Sequence, residues 1–82
     1  MIEVKDAVGL AKAKAVEMLG QNGSLEEIER EDFKGRDAWS ITLGFPPKFT
    51  PFTGIAMDYK RFLIDAETGE LLAMKLRELA SR

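Results

Sequence analysis

Apolar residues near the start of the chain return every three or four positions. Val4, Val8, Ala11, Ala15, Met18 and Leu19 share one face, and Lys5, Asp6, Lys12 and Glu17 lie away from its centre. The spacing predicts a helix over Val4–Leu19, ended by Gly20 and Gly23 with Gln21 and Asn22 between them. At Trp39 the period changes to two: Trp39, Ile41, Leu43 and Phe45 alternate with Ser40, Thr42 and Gly44. That pattern predicts a strand with one buried and one wetter face. Further on, Tyr59, Phe62, Leu63 and Ile64 are bulky and mostly strand-forming, and Leu72, Met74 and Leu76 alternate with Ala73, Lys75 and Arg77. Ala66-Glu67-Thr68-Gly69 joins these two strands in a tight turn. Gly69 supplies the positive φ that a type I turn followed by a bulge requires. Asp65 and Thr68 offer short polar side chains to nearby backbone N–H groups. The residues from Glu70 to Ala80 are also good helix formers, but the turn chemistry and the preceding strand both favour a hairpin.

Two segments read less directly. Ser24 followed by Glu27 fits a capping box that would start a short helix. Leu25, Ile28 and Phe33 give only partial helical spacing, so Ser24–Phe33 is read as an edge strand. Its acids (Glu26, Glu27, Glu29, Glu31 and Asp32) form a solvated face that resists strand addition. Alternating carboxylates splay along a strand instead of converging on one point, so no metal site is expected there. Lys34-Gly35-Arg36-Asp37 reads as a turn. Pro46, Pro47 and Pro51 break the next pattern, because proline cannot sit in a central strand. Pro46 to Met57 is therefore expected to be a long loop. Its Phe49, Phe52 and Ile55, with Phe45 at its start, either fold back over the core or grip a partner. The order is helix, strand, strand, loop, strand, strand. It predicts an α+β fold with one N-terminal helix packed on a four-stranded antiparallel sheet.

Composition narrows the chemistry. A chain of 82 residues is expected to form a single domain, residues 1–82, with a modest core. Its 12 basic and 14 acidic residues leave a net charge of −2, which gives no general attraction to nucleic acid or an anionic membrane. There is no cysteine and no histidine. This removes disulfides, thiolate metal sites, the usual proton shuttle and the commonest zinc ligand. The charges between Met1 and Leu19 do not resemble a signal peptide, and no apolar run is long enough to span a bilayer, so a cytoplasmic protein is expected. Ser24, Ser40 and Ser81 lack a histidine to activate them. A lysine-activated serine, Ser40 with Lys60 or Lys75, has no supporting motif. Gly20-Gln21-Asn22-Gly23 follows a helix, whereas phosphate-binding loops precede one. No cofactor is implied, and catalysis is not expected.

What remains is recognition. By alternation, the sheet face opposite the helix collects Ser40, Thr42, Arg61, Leu63, Lys75 and Arg77. A mixture of cations with threonine and leucine suits a protein or peptide partner, or a second copy of the chain. Phe49, Phe52, Arg61, Leu63, Lys75 and Arg77 are the candidate partner-binding residues. Leftover apolar surface on a small core also predicts a homodimer. The alternatives are a homo-oligomeric structural domain, or a small ligand held between helix and sheet in a pocket lined by Ala11, Ala15, Trp39 and Phe62.

The Ala-rich leading helix, the strand AWSITLGF and the strand–turn–strand FLIDAETGELLAMK together resemble the PepSY and PepSY-like group of small domains. Trp39 and the hairpin residues Asp65, Thr68, Gly69 and Glu70 carry the likeness. The resemblance implies a non-catalytic role in modulating peptidases or binding proteins and peptides. The matched residues are turn and core positions.

Overall fold

The computed structural model describes the backbone of residues 1–50 and 54–76 and the side chains of residues 1–45 and 58–75. Helix α1 (Val4–Leu19) is followed by β1 (Ser24–Phe33), β2 (Arg36–Thr50), β3 (Gly54–Asp65) and β4 (Leu71–Leu76). The strands form one antiparallel sheet in the order β1-β2-β3-β4, each pairing with its neighbour in sequence. This is the expected α+β arrangement, with β1 at an edge as expected. The capping box at Ser24 does not form, because the residues after it pair with β2 instead.

α1 lies over β2 and β3. It does so through Ala7, Ala11 and Ala15, spaced four apart and all fully buried. Small side chains on that stripe let the helix backbone come close to the sheet. The aliphatic bulk of the core comes from the strands: Ile41, Leu43 and Phe45 of β2, with Phe62 and Ile64 of β3. Ile2, Val8, Leu19, Trp39, Leu71 and Met74 pack around its margin. Val4 and Met18, expected at the helix's core face, are instead exposed. The alanine stripe rotates the helix so that they sit to the side. α1 ends at Gly20, whose left-handed φ of 69° lets its N–H reach Val16 O at 2.9 Å.

The expected long loop is corrected. β2 runs through Pro46 and Pro47 to Thr50, and β3 begins at Gly54, so most of Pro46–Met57 is hairpin strand. The reason lies in the ladder. β1 pairs with β2 only as far as Gly44, so beyond that point β2 has a neighbour on one side alone. A shift of register between Phe45 and Lys48 then spans the prolines. The β1–β2 connection is also tighter than expected. Only Lys34 (φ 53°) and Gly35 (φ 84°) turn, and Phe33 already pairs with Arg36. Two successive positive φ values define the tight hairpin turn whose twist matches its strands.

Candidate functional site: the two faces and the open edge of the sheet

Register assigns the sheet's side chains to two faces. On the helix side, Leu25 and Ile28 of β1 stand opposite Leu43 and Ile41, and Ile41 stands opposite Phe62. On the other side the cross-strand rows are Glu27–Thr42–Arg61–Lys75, then Glu29–Ser40–Leu63–Ala73, then Glu31–Ala38–Asp65. The alternation expected from sequence therefore holds for Ser40, Thr42, Arg61, Leu63 and Lys75.

The expectation that Leu63 is displayed on that face does not hold. Leu63 is fully buried, as are Ala38, Ser40 and Thr42. Long side chains lie across them. Arg61 reaches from β3 to Glu31 on β1, with Nη1 3.5 Å from the carboxylate. A link between those strands must pass over β2. Lys75 of β4 reaches further still, its ammonium 5.5 Å from the centre of the Phe33 ring at the end of β1. Together these chains roof the face with aliphatic stems and leave charged tips outside. Ser40 Oγ, Thr42 Oγ1 and Arg61 Nε are buried on this face without a hydrogen-bond partner among the described residues. Of the expected partner-binding residues, Arg61 is thus largely tied down, and Lys75 is exposed. Phe49 falls on β2 opposite Ile55, with its side chain outside the described residues. Phe52 and Arg77 also lie outside the described residues.

At the turn end of the sheet, Asp65 organises the backbone. Its Oδ1 accepts the Glu67 N–H at 2.7 Å and the Thr68 N–H at 3.1 Å, and its other oxygen sits 2.6 Å from Arg36 Nη2. The Glu67 N–H is the main reason its carboxyl is held below the ordinary aspartate range; the Thr68 N–H and Arg36 add to it, against the opposing effect of burial. Gly69 takes φ 81° and donates to Asp65 O at 2.8 Å, as the turn chemistry predicted. On the helix side, Arg30 stacks on Trp39 with its guanidinium 4.6 Å from the ring centre and forms a two-pronged ion pair with Asp37. That hydrogen-bonded pair raises the Arg30 pKa above its already high value. Trp39 Nε1 donates to Ile2 O at 3.3 Å. These groups fasten the chain start to the sheet. Sequence reasoning did not single out Arg30 or Asp37. Their signal is that the Lys34–Gly35 turn sets Arg30 opposite Trp39, one diagonal step from Asp37 on the same face.

Lys60, one proposed activator of Ser40, stands on the helix side opposite Leu43 and binds Asp58 at 3.3 Å. Lys75 points to Phe33. No three carboxylates among the described residues converge to hold a metal ion. No described helix is long and apolar enough to cross a membrane. The proposed ligand pocket between helix and sheet coincides with Ala11, Ala15 and Phe62, which are fully buried members of the core cluster.

The remaining feature is the open side of β1. α1 sits over β2 and β3, and leaves Leu25 (41 % exposed) and Ile28 (40 % exposed) uncovered on the helix side. Val16 and Met18 of α1 are also about half exposed. Comparison of the chain with family models, with curated proteins and with solved structures returns no match.

Proposed function

We propose that this chain is a non-catalytic binding or regulatory module for a protein or peptide partner. The observation that carries the reading is the set of large apolar side chains, Val16, Met18, Leu25 and Ile28, left in solvent by a fold that fully buries Ile41, Leu43, Leu63 and Ile64. A small domain gains stability from each apolar group it can cover. Exposed side chains of this kind on α1 and β1 are surface a partner would cover. The absence of histidine and cysteine from the sequence agrees with a role in recognition. The resemblance to the PepSY-like group extends the proposal to a peptidase-related partner.

The test is affinity capture with two baits, the parent chain and a Leu25→Ser/Ile28→Ser variant, each shown to be folded by circular dichroism. A partner retained by the parent and lost by the variant is the expected result. Identical sets of retained proteins would remove the apolar surface from consideration.

A further inference from the structure

Building on that binding-module reading, we infer that the free edge of β1 adds an extended peptide strand of alternating apolar and basic residues. β1 ends the sheet, so alternate N–H and C=O groups along it point away from β2. From Ile28 to Phe33 its pairing with β2 is regular, and the only register shift lies before it, between Leu25 and Glu27. An incoming strand there meets different chemistry on its two sides. On the helix side it meets the exposed Ile28, then Arg30, already paired with Asp37, and Asp32, with Leu25 beyond the shift. On the other side it meets Glu29 and Glu31, with Glu26 and Glu27 nearby. Glu26 and Glu29 are exposed and have no ion-pair partner among the described residues. Glu31 is the acid already shared with Arg61.

Strand pairing places side chains of the incoming strand directly opposite these residues. Unlike charges in such pairs stabilise, and like charges destabilise. A second β1 would set glutamates against glutamates, which disfavours a two-fold dimer through this edge. An alternating strand with lysine or arginine on one face and valine-like residues on the other sets its cations against Glu29 and Glu31 and its apolar side against Ile28 and Leu25. The acids that discourage indiscriminate strand pairing thus also select the partner.

Synthetic peptides of about eight residues, an ordinary strand length, provide the test. One alternates lysine and valine, one alternates glutamate and valine, and one has the same lysines and valines in two blocks. A fourth is the alternating lysine peptide with alternate backbone nitrogens methylated, so that it cannot pair. Titration followed by calorimetry should show binding of the alternating lysine peptide alone. Glu29→Lys in the protein should weaken it roughly tenfold, since a favourable cross-strand pair becomes a repulsive one. Equal binding of the block or methylated peptide would reduce the effect to general charge attraction and overturn the strand. Failure of all four peptides would also overturn it. A partner still lost with Leu25→Ser/Ile28→Ser would in that case leave the binding-module reading standing. Sedimentation of the parent chain decides the remaining occupant: a dimer whose association Glu29→Lys changes would assign the edge to a second copy and overturn the peptide.

Discussion

Both sides of the central strands β2 and β3 are shut off from water, but by different material. One is closed by a helix, which lays a stripe of alanines over Ile41, Leu43, Phe45, Phe62 and Ile64. The other is closed by Arg61, Glu31, Lys75 and Phe33, whose side chains cross the strands above Ser40, Thr42 and Leu63. A helix is held by its own backbone hydrogen bonds and by many simultaneous contacts. A roof of single side chains is held by rotamers and a few weak pairs. Equal burial therefore does not mean equal contribution to stability, and adjacent residues of β3 provide the comparison directly.

Phe62→Ala should be the most damaging substitution, costing about 3–5 kcal/mol because the packed helix cannot close the cavity. Leu63→Ala should fall near the lower end of the roughly 2–5 kcal/mol range for buried leucines, because a side-chain roof can collapse onto the space. Urea denaturation of both variants measures the difference; a larger loss for Leu63→Ala would show that the second face is packed as firmly as the first.

Acid adds a third measurement. Asp65 belongs to the roofed face, and its carboxyl is held below the ordinary range. The folded state therefore favours the ionised form. The stability this provides is present above the unfolded value, about 3.9, and is lost as pH falls through the lowered folded value. Melting temperature should decline over that acid window in the parent. Asp65→Asn should melt lower at neutral pH and show a flatter acid decline. An unchanged slope would mean that the turn carbonyls and amides, and not the charge, hold this end.

Gly69→Ala should cost about 1 kcal/mol through its positive φ. A Cβ there would also stand 3.0 Å from Leu10 Cδ1, so the Leu10 side chain must give slightly. Equal melting of the two proteins would contradict the turn. The smallest effect belongs to the roofed hydroxyl. Thr42→Val removes an oxygen that has no partner and keeps the side-chain shape, so it should be neutral or mildly stabilising. A clear loss of stability would show that Thr42 Oγ1 makes a bond in solution, through water for example.

What could be read from the sequence was what is local. The Asp65–Gly69 turn depends on residues within a few positions of one another, and its φ and hydrogen bonds followed from composition. The period-two pattern of Trp39–Phe45 placed both faces of β2. The long loop was misread because proline was judged against a central strand. Whether Pro46 and Pro47 are tolerated depends on where β1 stops, a tertiary fact. The helix's contact stripe was legible in Ala11, Ala15, Val8 and Leu19, but Ala7 takes the place expected of Val4 and Met18 for a related reason. Hydrophobicity favours Val4 and Met18, but close approach to a sheet favours Ala7, Ala11 and Ala15. The roof over Leu63 was not legible at all, because alternation says which way a side chain leaves the strand and not which long neighbour bends across it.

The order of the chain has a consequence for its synthesis. α1 is made first, yet the surface it packs on belongs to β2 and β3, and its leading residues are pinned by Ala66 O, which accepts the Ile2 N–H at 2.7 Å. Isolated helices of this length are marginal in water. As the chain leaves the ribosome, the first element must wait, with its alanine stripe uncovered, until the third strand and the turn beyond it have emerged. Commitment to the fold waits on β3 and the turn that follows it.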